Sequence, residues 1–132
     1  MTKIHQYVMM CAPIMAQVAA IEGLKNSSRY VQEMKREYRR RREFIVDRLN
    51  EIGLGCAKPE GAFYVFPSIE DTGMGCVEFA KELLKKEKVA VVPGTAFGSQ
   101  GKGYIRISYA TNMPDLKEAC LRIERFVHRV SR

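Results

Sequence analysis

Apolar residues recur along this chain at two spacings, and these spacings divide it into elements. From Arg29 to Ile52, the residues Val31, Met34, Tyr38, Ile45, Leu49 and Ile52 follow one another at steps of three, four or seven. That is a helical stripe, ended by Gly53. Ahead of it, Pro13 suits a helix N-terminus, Ile14–Leu24 reads as a short, largely buried helix, and Asn26, Ser27 and Ser28 are capping candidates. Ile4 to Ala12 is apolar but too irregular to assign. Further on, Ala62-Phe63-Tyr64-Val65-Phe66 is a continuous apolar run that reads as a buried strand stopped by Pro67. Asp71–Gly75 is a turn. The helix after it carries Phe79, Ala80, Leu83 and Leu84 on one face and Lys81, Glu82, Lys85 and Lys86 on the other. Val89–Val92 reads as a short strand closed by Pro93-Gly94. In Tyr104–Tyr109 the period falls to two, with Ile105, Ile107 and Tyr109 on one face and Tyr104, Arg106 and Ser108 on the other. A last helix, capped by Thr111 or Asn112 and with Pro114 in its first turn, has the stripe Leu116, Cys120, Ile123, Val127 and Val130. This order of elements predicts an α/β (α+β) sandwich, a small mixed sheet covered by helices.

Composition narrows the picture. The chain has 132 residues, 46% of them hydrophobic and 28% charged, which excludes a disordered or fibrous protein. That length supports one real core and hardly two. No stretch approaches the roughly 20 uncharged apolar residues of a membrane span, and the N-terminus lacks a secretory pattern, so a soluble cytoplasmic domain is expected. Cys11, Cys56, Cys76 and Cys120 form no CxxC pair, and neither His5 nor His128 stands near them at ligand spacing. Reduced thiols and no metal site are therefore expected. No repeat or long linker divides the chain; one seam falls near Gly23–Ser28.

The excess of basic residues, 22 Lys+Arg against 15 Asp+Glu, peaks at Lys35–Arg42. A polyanion footprint is one reading of that run. Glu33, Glu37, Glu43 and Asp47 interleave with it at helical spacing, as on a solvated helix face. The glycine loop Gly94–Gly103 is no phosphate cradle: its Gly-Lys-Gly leads into a strand, where a P-loop opens a helix. Arg106 is the more telling residue. Strand alternation sets it opposite Ile105 and Ile107, directly after that loop, where an ordinary solvated arginine on a half-exposed strand is the plainer reading of the pattern. A guanidinium held on a rigid strand also matches the two oxygens of a carboxylate.

Several ordered motifs carry a resemblance over essentially the whole chain. Lys58-Pro59-Glu60-Gly61-Ala62-Phe63-Tyr64 matches a P-x-G-A-F-Y strand, and Val91-Val92-Pro93-Gly94-Thr95-Ala96-Phe97-Gly98 followed by Gly103-Tyr104-Ile105-Arg106-Ile107-Ser108-Tyr109-Ala110 matches V-x-P-G-x-x-F-G…G-x-Y-x-R-x-S-x-A. Together they resemble the C-terminal part of a pyridoxal-phosphate-dependent aminotransferase of fold type I, class I/II, the aspartate aminotransferase-like group. The resemblance implies the small domain at residues 25–132, preceded by a remnant of the large domain at 1–24. It assigns the substrate α-carboxylate to Arg106, with Gly61 and Phe63 flanking the substrate. It further implies amino acid and 2-oxo acid substrates, pyridoxal phosphate as cofactor of the full-length enzyme, and a homodimer, with no role for nucleic acid or membrane.

One departure accompanies the match. The family holds its cofactor on a lysine in an S-x-S-K or S-x-x-K context, and no lysine here has it: Lys35 follows Gln32-Glu33-Met34, and Lys102 lies between Gly101 and Gly103. The chain therefore reads as a cloned fragment or truncated product, catalytically incompetent alone, with no catalytic or cofactor-binding residue of its own. The apolar residues Ile4, Tyr7, Val8, Met9, Met10 and Ile14 are then expected to pack on the missing large domain. The alternative is a stand-alone basic binding module for nucleic acid or another polyanion. A carboxylate-binding regulatory relic is a third reading.

Overall fold

Two amphipathic stripes, on the second half of the long helix and on the last helix, organise the core. A computed structural model describes residues 1–9 and 11–131; Met10, one of the apolar residues in the N-terminal stretch, lies outside the described residues. The described chain comprises the helices α1 (Thr2–Val8), α2 (Ile14–Asn26), α3 (Ser28–Glu51), α4 (Cys76–Glu87) and α5 (Met113–Val130). The strands are β1 (Tyr64–Val65), β2 (Val92–Pro93) and β3 (Ile105–Ser108). It divides into two compact units, Met1–Arg36 and Glu37–Arg132.

In the first unit none of the described residues is buried. Here the sequence reading needs correcting: α2, expected to be largely buried, exposes Ile14, Met15, Val18, Ile21 and Leu24 by half or more. The stripe of α3 is exposed at Val31 and Met34 as well. Apolar spacing marks a face that needs covering, but does not say that this chain supplies the cover. The irregular stretch after Met1 also holds a helix, α1, that its pattern did not announce.

The second unit holds the core. Ile45, Val46 and Leu49 of α3 meet Phe79 and Leu83 of α4, Val65 of β1, Ile105 and Ile107 of β3, and Leu116, Cys120, Ile123, Phe126 and Val127 of α5. Phe79 and Phe126 pack edge to face at 5.1 Å. Asn112 caps α5, its side-chain carbonyl accepting from the Asp115 N–H at 2.8 Å while its amide donates to the Asp115 carboxylate at 2.8 Å. Leu84, assigned to the buried face of α4, is half-exposed; Glu87 takes the inward position. This buried carboxylate accepts from Arg125 at 3.1 Å and Arg129 at 3.2 Å, pinning the end of α4 to α5.

β3 is the central strand of the sheet, in the order β1-β3-β2. Tyr64 pairs with Ser108, Val65 with Ile107, Val92 with Arg106 and Pro93 with Ile105, all antiparallel. The expected mixed sheet is therefore not found; the described sheet is antiparallel at both junctions. The two apolar runs also yield shorter strands than their length suggested. Ala62 takes φ +60°, outside the strand region, and Pro67 and Pro93 have no N–H to extend a ladder. Of the four thiols, Cys56, Cys76 and Cys120 are buried and Cys11 is exposed. Among the described residues, no helix is long and apolar enough to cross a membrane.

Candidate active site around Arg106

The middle strand of a sheet is held from both sides, so a side chain on it inherits a fixed origin and direction. On β3, Ile105 and Ile107 point into the core, and Arg106 points out from the opposite face, half-buried. Directly paired residues share a face, so Tyr64, Ser108 and Val92 stand on the same side as Arg106.

Two aromatic rings meet the guanidinium there. Its central carbon lies 4.3 Å from the centroid of the Tyr64 ring and 4.3 Å from that of Phe97. Tyr64 comes from the β1 side of the central strand; Phe97 comes from the turn Gly94–Phe97 that follows β2. Among the described residues no carboxylate pairs with Arg106, although Arg48, Arg122, Arg125 and Arg129 all have acidic partners. Stacking occupies the faces of a guanidinium and leaves its N–H edge available for hydrogen bonds. The result is a ring-stacked cation whose donors have no partner among the described residues.

The loop that brings Phe97 into place depends on two glycines. The Gly94 N–H donates to the Tyr104 carbonyl at 2.8 Å, and the Tyr104 N–H donates to the Gly101 carbonyl at 3.2 Å. A Cβ on Gly94 would collide with the Gly101 carbonyl, and a Cβ on Gly101 with the Gly94 backbone. The loop can close only where both side chains are absent.

Phe63 and Gly61 stand further off. The Phe63 ring lies 4.5 Å from the Tyr64 ring, which itself stacks on Arg106, and 6.2 Å from Tyr38 of α3. Its carbonyl accepts from the Tyr109 N–H at 2.9 Å, and the Ala62 carbonyl accepts from the Tyr109 hydroxyl at 2.9 Å. Gly61 is exposed, and a Cβ there would meet open space within this chain. On the other side, Phe66 meets Phe97 edge to face at 5.5 Å, both rings about half-exposed. Sequence reading marked Arg106 but passed over Tyr64 and Phe97 as contacts. Tyr64 follows from the register once β1 is known to pair with β3; Phe97 is placed by a loop whose course has no periodic signature.

The basic run of α3 is partly engaged inside the chain. Arg41 pairs with Glu37 at 2.9 Å, and Arg42 donates to the Pro59 carbonyl at 3.0 Å. A groove of about 570 Å³ opens at the first turn of α4, with Cys76, Thr95, Lys81, Glu82 and Lys102 among its walls, and Arg106 is not one of them. The Thr95 hydroxyl, 3.5 Å from Cys76 Sγ, draws that thiol below its ordinary range.

Comparison with known proteins shows the family. Residues 1–123 match the model of the family "Aminotransferase class I and II". The chain is 60% identical over 131 residues to YugH of Bacillus subtilis (strain 168), a protein named as an aminotransferase, covering 99% of this chain and 34% of that one. It is 47% identical to aromatic-amino-acid aminotransferase 2 of Thermococcus litoralis, covering 95% of this chain and 33% of that one. The crystal structure of the aromatic aminotransferase of Pyrococcus horikoshii OT3 superposes with a TM-score of 0.77 at 51% identity, over 80% of this chain and 28% of that one. This chain belongs to the class I and II aminotransferase family. It spans about a third of the length of the curated relatives it matches.

Proposed function

We infer that this chain is the carboxylate-recognising part of an enzyme that moves an amino group between an amino acid and a 2-oxo acid. Arg106 grips the α-carboxylate common to both substrates. The observation that carries this reading is the half-buried guanidinium on the central strand, stacked by two rings and unpaired with any acid among the described residues. Residues 25–132 form the small domain of a fold type I enzyme in this reading, with its helices and sheet as the sandwich. Residues 1–24 belong with the large domain. Gly61 and Phe63 border the same substrate, and the complete protein works as a cytoplasmic homodimer.

Pyridoxal phosphate supplies the electron sink for such transfers. The residues present here do not fit it. A lysine that condenses with a carbonyl must reach its neutral form, which burial or a neighbouring cation provides, and all ten lysines of this chain are exposed. Lys58 and Lys86 are paired with Glu43 and Glu82 as well. The cofactor site and the chemical steps therefore belong to residues outside this chain, and orienting the substrate belongs to Arg106.

The test is a protein of full family length that carries this chain as its C-terminal third, compared with its Arg106→Lys variant. Lysine keeps the charge and loses the fork. A charge-assisted hydrogen bond is worth roughly 1.5–3 kcal/mol, so kcat/KM should fall by about tenfold or more for every amino acid tested. Melting should change little. Unaltered kinetics would remove Arg106 from the site.

A further inference from the structure

The rings beside Arg106 do more than fill space, and this step rests on the carboxylate reading above. An arginine has four rotatable side-chain bonds, and holding its fork in one plane costs side-chain entropy unless something fixes that plane in advance. Among the described residues no salt bridge does so. We propose that Tyr64 and Phe97 are positioning residues: together they fix the plane and reach of the Arg106 guanidinium, so that its N–H edge is already set for a two-oxygen anion.

Three observations converge on this. The guanidinium carbon is 4.3 Å from both ring centroids. The rings come from opposite sides of the central strand, so neither β1 nor the β2 loop alone can do the work. Each ring is itself braced by a second one, Tyr64 by Phe63 at 4.5 Å and Phe97 by Phe66 at 5.5 Å. The glycine closure at Gly94 and Gly101 then has a use beyond the loop, because it sets where Phe97 lies. An aromatic face holds a guanidinium without competing for its hydrogen bonds, whereas a carboxylate partner would occupy the edge the substrate needs.

The test uses the full chain labelled with ¹⁵N, with the Arg106 Nε–H signal assigned by its loss in Arg106→Lys. Two readouts are taken, the order parameter of that N–H and its shift on titration with acetate as carboxylate probe. In the parent chain the order parameter should approach that of rigid backbone, about 0.85, and acetate should move the signal. In Phe97→Leu and Tyr64→Leu it should fall below about 0.6, with acetate affinity reduced about two- to fivefold. Phe97→Tyr and Tyr64→Phe keep a ring face and should behave as the parent. Phe97 is about half-exposed, so Phe97→Leu should remain folded, and unchanged backbone amide signals away from the site verify it. An order parameter unchanged in the leucine variants overturns the proposal. Ordering that depends on the rings, with no acetate response in the parent chain, supports the clamp and overturns the carboxylate reading instead.

Discussion

Single side chains in this molecule are sorted by what they are allowed to pair with. Glu87 is buried and doubly paired to arginines; Arg106 is half-buried, ring-stacked and has no acidic partner among the described residues. The first arrangement uses a charge to hold two helices together, and the second, in the function proposed above, keeps one ready for an external anion. Two thiols report on burial in the same way. Burial pushes Cys56 and Cys120 up to about 11. Below their ordinary value of about 9 both are neutral whether the chain is folded or not. Between 9 and 11 the unfolded chain loses these protons and the folded chain keeps them, so stability should fall as pH rises through that window. Urea midpoints measured across it should drop more steeply for the parent chain than for a Cys56→Ala, Cys120→Ala double variant. Parallel curves would show that neither thiol is held neutral by the fold.

Among the elements, the glycine loop between β2 and β3 is the most constrained. Gly94→Ala should cost about 1–3 kcal/mol, the ordinary range for overpacking, because the new Cβ would lie 2.7 Å from the Tyr104 carbonyl and closer still to that of Gly101. Denaturant unfolding of the variant measures this, and an unchanged midpoint would mean the loop closes by another route. Alternation on β3 was plain in the sequence, since Ile105 and Ile107 against Arg106 needs only a period of two. The stripes of α4 and α5 were plain as well, apart from Leu84, which is half-exposed, and Phe126 and Glu87, which turn inward outside the predicted apolar stripes. Pairing was not legible: which strand lies beside β3, and in which direction, is decided by loops and by packing far apart in sequence. For the same reason Tyr64 and Phe97, 33 positions apart, could not be read as neighbours of one arginine. The carboxylate role proposed for Arg106 rests chiefly on motif resemblance; strand geometry alone favours an ordinary solvated arginine on a half-exposed strand.

At the scale of the whole molecule, the apolar surface is divided unequally. Among the described residues no fully buried core residue precedes Ile45, while Ile4, Tyr7, Val8, Ile14, Met15, Val18, Ile21 and Leu24 are all more than half-exposed. Burying a large apolar side chain is worth about 1.5–3 kcal/mol, so this stretch has much to gain from a surface outside the chain and little to give to the core. Deleting residues 1–24 should leave a cooperative melt and a more monomeric protein by sedimentation. Loss of folding would place that stretch in the core and move the boundary between the domains.

The proposed division of labour, with substrate orientation here and cofactor chemistry elsewhere, is most directly tested by the visible spectrum. The purified chain is mixed with excess pyridoxal phosphate, dialysed, and compared with the protein of full family length that contains it. With every lysine of the chain exposed and none in the family's context, the isolated chain should retain no stoichiometric cofactor band and turn over no amino acid, while the longer protein does both. A stoichiometric band together with turnover in the isolated chain would contradict it.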